Sequence, residues 1–133
     1  MNAKILRAVV CMLTLGAAVT VSSQGQPADP LISQPELRQR MQGQQDILLI
    51  DVRTASEFKM GHVPGAVNIP HTELAKRLGE VRPHHAKGVV LYCESGRRAD
   101  IAEGMLRKAG LDHIRHLEGD MAAWRQSGLP IEK

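Results

Sequence analysis

The sequence predicts one α/β domain built on a largely parallel sheet, and three observations lead there. Strand-like and helix-like segments alternate from Ser33 to the end of the chain. Two apolar runs of strand length, Ile47 to Ile50 and Val89 to Tyr92, are unbroken rather than alternating, which suits strands covered on both faces. The gaps between segments hold capping residues, Gly and Pro. A length of 133 residues allows one such domain with a real core and is too short for two.

In order along the chain, Lys4 and Arg7 precede an apolar stretch over 8–21, followed by the small residues Ser22 and Ser23. These are the parts of a secretory signal peptide, so residues 1–23 are expected to direct export to the periplasm. A membrane anchor fits less well, because the run falls short of the roughly 20 residues that span a bilayer. Val10 before Cys11 also argues against a lipoprotein cysteine. Residues 24–32, polar and Pro-containing, read as a linker, and 33–133 as the domain.

Ser33 and Glu36 form a capping box with a proline in the first turn, opening a helix through Leu37 and Met41 that stops at Gly43. The Ile47 to Ile50 strand ends in Asp51, Val52 and Arg53. Thr54 and Glu57 form a second capping box, starting a short helix with Phe58 on its buried side. Gly61, Pro64 and Gly65 redirect the chain into a brief strand, Val67 to Ile69, closed by Pro70. Leu74, Leu78 and Val81 have helical spacing and predict one helix over 72–81. A surface loop, the Val89 to Tyr92 strand, a helix to Lys108 capped by Gly110, a strand over 114–117 and a last helix over 119–128 complete the pattern.

Composition narrows the function. Hydrophobic residues make up 43%, which excludes a disordered chain, and the few aromatics leave a mainly aliphatic core. The formal net charge of +3 includes Lys4 and Arg7, so an exported mature chain is almost neutral. With no basic stripe interleaved with aromatics, nucleic-acid binding is not expected. Loss of the signal removes Cys11 and leaves Cys93 as the single thiol, which in an exported chain suggests a reactive or intermolecular role; a buried inert cysteine is the plainer alternative.

Cys93 stands where a buried strand meets a short loop and a helix start, followed by Glu94, Ser95, Gly96, Arg97 and Arg98. Amides at such a place lack intrahelical partners and attract anions, and Gly96 permits the positive φ that curls the loop inward. An unperturbed thiol is roughly 3% ionised at pH 7, and a helix start with nearby Arg can raise that fraction. A strand-to-helix turn with an incidental Cys is the dull reading of this pattern. Tyrosine phosphatases and arsenate reductases place Arg six residues after the Cys; here Arg98 lies five after it and Ala99 six after. The loop is one residue short for a tetrahedral oxyanion, and a smaller cradle suits a sulfur atom.

These residues resemble the single-domain rhodanese family of sulfurtransferases. Cys93, Gly96 and Arg98 match its Cys-x-x-Gly-x-Arg loop. Asp51-Val52-Arg53, Glu57-Phe58 and the stretch from Gly61 to Pro70 match its first signature. Leu117, Gly119, Trp124 and Gly128-Leu129-Pro130 match its closing signature, and the likeness runs from about Ser33 to Ile131. Three departures stand out: Asp120 replaces the usual second Gly, Ala99 a common Ser, and Glu94 puts a carboxylate beside the thiol.

The resemblance implies a three-layer α/β/α fold and transfer of a sulfane sulfur from a donor such as thiosulfate to cyanide or a thiol. It implies Cys93 as nucleophile and persulfide carrier, with Glu94, Ser95, Gly96, Arg97 and Arg98 binding substrate. Asp51 and Arg53, at the carboxyl end of a strand, are expected to support the loop, a surface ion pair being the competing reading. His62 reads as architectural. His84, His85, Asp112, His113 and His116 lack a Cys or carboxylate set at zinc spacing, so no metal or cofactor is expected. Beyond donor and acceptor no partner is expected: no nucleic acid, no membrane after cleavage, and a monomer suffices. The alternatives are a non-catalytic sulfur-binding or sensing module and a phosphatase-like or arsenate-reductase-like thiol enzyme.

Overall fold

Residues 29–133 are described by a computed structural model. The expected signal over 1–23 and the linker as far as 28 lie outside the described residues.

Five strands form the sheet: β1 (Leu31–Ile32), β2 (Leu48–Asp51), β3 (Val67–Asn68), β4 (Val89–Tyr92) and β5 (Ile114–Leu117). Their spatial order is β1-β5-β4-β2-β3, and every pairing is parallel. Five α-helices accompany them: α1 (Gln34–Gln42), α2 (Ala55–Met60), α3 (Leu78–Val81), α4 (Arg97–Lys108) and α5 (Asp120–Gln126). Among the described residues no helix is long and apolar enough to cross a membrane.

The unbroken apolar strands are buried on both faces, as a parallel sheet demands. Along β4 the side chains alternate. Val89 and Leu91 pack with Leu74, Val81, Ala102 and Leu106 on the α3 and α4 side, while Val90 and Tyr92 pack with Leu37, Met121 and Trp124 on the α1 and α5 side. The result is a three-layer α/β/α domain with two aliphatic cores. Trp124, 2% exposed, donates its indole N–H to the Pro130 carbonyl at 2.8 Å and so ties the closing Gly-Leu-Pro turn to the core.

The Thr54–Glu57 box is complete, with both hydrogen bonds exchanged, whereas the Ser33 box is half formed: Glu36 donates its amide to Ser33 Oγ, but its carboxylate is taken by Arg40 and Arg115. Gly110, at φ +83, follows α4; Leu111 N–H reaches the Leu106 carbonyl and Gly110 N–H the Arg107 carbonyl, which satisfies the last turn.

Three readings need correction. Leu31 and Ile32, placed in the linker, form edge strand β1 beside β5, with Ile32 1% exposed. Two residues are too few to show a periodicity, and only the tertiary pairing reveals them. The helix expected over 72–81 is broken into a 3-10 turn at Leu74–Lys76, α3, and a second 3-10 turn at Arg82–His84. Leu74 and Val81 are buried as the spacing required. No side chain caps α3, Gly79 weakens it and Pro83 stops it, so burial is met by short turns. Phe58 is only half-buried, stacked on His62 with ring centroids 3.6 Å apart.

Strand order reverses between β4 and β2. The segments after β2, carrying Arg53, and after β4, carrying Cys93, therefore leave neighbouring carboxyl ends, where open α/β sheets form their ligand crevices.

Candidate active site

The apolar run of β4 ends at Tyr92, and the chain then turns sharply through Gly96 at φ +109 into α4. A side chain at Gly96 would be strained by that φ and would meet Asp120 Oδ2 at 3.2 Å, so glycine is required twice over. The turn brings the Gly96 N–H to 3.0 Å from Cys93 Sγ. Cys93 is 1% exposed, the floor of the loop rather than its rim. It is the free cysteine among the described residues.

The start of α5 clamps this loop from below. Met121 N–H donates to the Cys93 carbonyl at 3.0 Å, and Ala122 N–H to the Glu94 carbonyl at 3.1 Å. Amides that a helix start leaves without partners are here used to hold backbone, which is why the closing motif matters to a loop some 25 residues earlier. Asp120 completes the clamp: its Oδ1 accepts the Cys93 N–H at 2.8 Å. Its backbone has φ +53, the conformation glycine would take most easily at that position and one Asp tolerates better than most residues.

Asp51 and Arg53 are no surface pair: they are 0% and 1% exposed. Arg53 Nε and Nη2 bond the Asp51 carboxylate at 3.0 and 2.6 Å in a fork, Nη2 also donates to the Gly61 carbonyl at 2.8 Å, and Nη1 reaches Glu94 at 3.3 Å. Burial works against the Arg53 charge, yet Asp51 more than offsets it and the guanidinium stays above its ordinary pKa. Asn68 donates to the carbonyls of Asp51 and Arg53, both at 2.9 Å, fixing the end of β2. Tyr92 accepts the Val63 N–H at 3.1 Å, with its phenol pushed upward by burial and by Asp51.

Glu94 is turned onto arginines rather than left beside the thiol. Both carboxylate oxygens bond the Arg125 guanidinium, and Oε2 also faces Arg53. Its negative charge is thereby balanced at the loop mouth. Arg98 is likewise engaged, gripping Glu57 through two bonds of 2.7 and 2.9 Å. That grip, working against partial burial and helped by Thr54, holds the Glu57 carboxyl down at about 2. Arg97 is exposed and, among the described residues, is in no ion pair. Ser95 is exposed at the loop tip.

Every site residue read from the sequence therefore converges on this end of the sheet. Several residues were missed. Arg125 carried no signal, being one of many surface-type arginines. Asp120 was noted only as a departure, and His116 only among residues lacking a zinc-ligand set. Their i, i+4 spacing was visible, but it gains meaning only when β5 turns into α5. His62 is architectural as read: its Nδ1 bonds the Phe58 carbonyl at 2.9 Å. His85, Asp112 and His113 gather at the other end of the sheet, where His85 Nε2 takes the Asp112 N–H at 3.1 Å.

The sequence matches the family of the rhodanese-like domain over residues 33–127. The chain belongs to the rhodanese-like domain family. A sulfurtransferase of Allochromatium vinosum is 35% identical over 100 residues, covering 75% of this chain and 92% of that protein. An uncharacterized protein of Synechocystis is 37% identical over 99 residues, covering 74% of this chain. A transcriptional regulator of Mycobacterium tuberculosis is 37% identical over 111 residues, covering 82% of this chain. The chain spans about half the length of these last two, 54% and 47%. Among solved structures, the human single-domain sulfurtransferase superposes with a TM-score of 0.63 at 28% identity, covering 74% of this chain and 96% of that one. A Lactobacillus plantarum protein reaches 0.69 at 30% identity, covering 77% and 87%. Rhodanese relatives that include sulfurtransferases and a putative sulfur carrier fit a loop built around one thiol.

Proposed function

We propose that this rhodanese is an exported sulfurtransferase that carries a sulfane sulfur as a persulfide on Cys93, with thiosulfate as a competent donor. The observation that carries this reading is the Gly96 N–H pointed at Cys93 Sγ from a loop of five residues, Glu94 to Arg98, too short to wrap a phosphate.

In the first half-reaction the Cys93 thiolate attacks the outer sulfur of thiosulfate. A Cys93 S–S bond forms, the S–S bond of the donor breaks, and sulfite leaves with the electron pair. In the second, cyanide or a thiolate attacks the outer sulfur of the persulfide and Cys93 recovers its electron pair. Arg97 answers the donor's charge, since Arg98 is committed to Glu57. Arg98 instead stiffens the loop through α2. The burial of Cys93 favours thin donors and acceptors over bulky ones. The charged segment ahead of the apolar stretch over 8–21 supports export to the periplasm; cell fractionation and N-terminal sequencing of the secreted form test it.

The deciding experiment incubates the mature protein with thiosulfate, weighs it, and then adds cyanide. A gain of one sulfur atom, release of thiocyanate, and loss of both in Cys93→Ala are expected. Sulfur uptake without turnover would make the protein a carrier rather than an enzyme. If wild type takes up no sulfur and turns over an aryl phosphate, the reading is wrong.

A further inference from the structure

The residue that departs most from the closing motif lies directly beneath the candidate nucleophile. Asp120 is 4% exposed, and its Oδ1 serves two partners: the Cys93 N–H at 2.8 Å and His116 Nε2 at 2.9 Å. The other ring nitrogen of His116, Nδ1, faces Asp100 Oδ1 on α4 at 3.3 Å. A neutral imidazole has one N–H and would set a lone pair against one of these carboxylates. An imidazolium donates to Asp120 and turns its second N–H, not a lone pair, towards Asp100. The ring also lies close under the loop: a Cβ added at Gly96 would come within 3.6 Å of His116 Cε1. The same Cβ would meet Asp120 Oδ2 at 3.2 Å, so the pair packs directly against the turn that holds Cys93 Sγ.

We propose that His116 and Asp120 act as a charged positioning pair for Cys93, His116 in its imidazolium form balancing the carboxylate that fixes the Cys93 backbone. The inference rests on the reading of Cys93 as the nucleophile. Asp120 supplies an acceptor that a glycine could not, and so anchors the first residue of the loop. The same carboxylate, left alone, would repel the thiolate and the persulfide that the loop must hold. His116 removes that penalty while it is protonated, with Asp100 of α4 a second carboxylate near the ring.

The charges around the pair all favour this form. His116 is faced by Asp120 from α5 and by Asp100 and Glu103 from α4, and Gly96 lies close to its ring. The bond to Asp120 raises its pKa above the ordinary histidine value, against the opposing effect of burial. Around Cys93, Glu94 is held by Arg53 and Arg125 and Arg98 by Glu57, while Arg97 stays exposed and keeps its charge throughout this pH range. Apart from the Cys93 thiol itself, the His116–Asp120 pair is therefore the part of the site whose net charge changes when His116 loses its proton.

The test follows alkylation of Cys93 by iodoacetamide against pH, read by mass, alongside sulfur uptake from thiosulfate. His116→Gln should slow alkylation at neutral pH about tenfold and move the profile to higher pH by about one unit. The double variant His116→Gln with Asp120→Asn, lacking both charges, should return the profile toward wild type. Asp120→Asn alone should lower the pH at which the His116 ring titrates by NMR. A strut with a purely structural role would lower melting temperatures but leave the alkylation profile in place, and that result overturns the proposal. So does a His116 ring that is neutral at pH 6 in wild type, a readout that does not depend on any variant folding. If alkylation behaves as expected while no form takes up sulfur, the sulfur-transfer reading fails and the positioning pair stands.

Discussion

The two ends of this sheet are built from similar residues and use them in opposite ways. At the carboxyl ends of the strands, charge is buried: Asp51, Arg53, His116 and Asp120 are each no more than 9% exposed and form two pairs, Arg53 on Asp51 and His116 on Asp120, that reach the loop at Glu94 and at the Cys93 N–H. At the amino ends, Lys87 pairs with Asp46 and His85 with Asp112 in the open, around a cleft of about 490 Å³ lined by Ile32, Ile47, Val89 and Ile114. Water screens the second set and leaves each pair almost free to break. In the first set, removing one partner strands the other charge in a dry site. Among the described residues, the ion pairs with both partners buried lie beside the Cys93 loop.

Breaking the buried fork should have the largest effect on stability. Arg53→Met leaves Asp51 unpaired at 0% exposure and should cost about 3–5 kcal/mol in urea unfolding. Arg53→Lys should recover only part of that, because an ammonium cannot form the fork to Asp51 and still reach Gly61 and Glu94. A loss no greater than that of an exposed pair would erase the contrast between the two ends.

His116→Gln comes next, at about 1–2 kcal/mol, with a characteristic pH dependence. Because the folded pKa of His116 is raised, its contribution is complete below the unfolded value of 6.5 and disappears as pH rises through the folded value. Wild type and variant should therefore differ in melting temperature at pH 6 and converge at alkaline pH. Equal differences at both would remove the imidazolium.

Glu57→Gln has a smaller effect, of the opposite pH sense. The Glu57 carboxyl titrates at about 2 when folded against 4.5 unfolded, so its stabilisation is present above 4.5 and lost as pH falls towards 2. Its side chain is 33% exposed, and screening limits the effect to about 1 kcal/mol. Thermal melts between those pH values should show wild type losing stability that the variant never had. Smallest of all, Lys87→Ala at the amino end should leave the urea midpoint unmoved within error, since its partner Asp46 is exposed.

Much of this molecule could be read before it was folded. The N-caps Ser33 and Thr54, the strands at 48–51, 89–92 and 114–117, and the loop from Cys93 to Arg98 follow from spacing and residue type, because each is determined by neighbours within a few positions. The Asp51 and Arg53 pair was legible as a location but not as a burial state, which depends on what covers the sheet. The broken helix over 72–81 and the edge strand at Leu31–Ile32 were not legible, since one depends on how short turns meet a buried face and the other on a partner 85 positions away.

The thiol, its glycine and the length of its loop were local chemistry, and the sequence alone determined them. What holds that loop was decided by the tertiary structure: α5 returns beneath β4 and presents Asp120, Met121 and Ala122 to the backbone of Cys93 and Glu94. Glu94 shows the division best. From the sequence it was a negative charge beside a nucleophile; in the fold it is bound by Arg53 and Arg125, from two elements distant in the chain. Whether a charge helps or harms a site depends on its nearest neighbours in space, and those are set only when the layers pack.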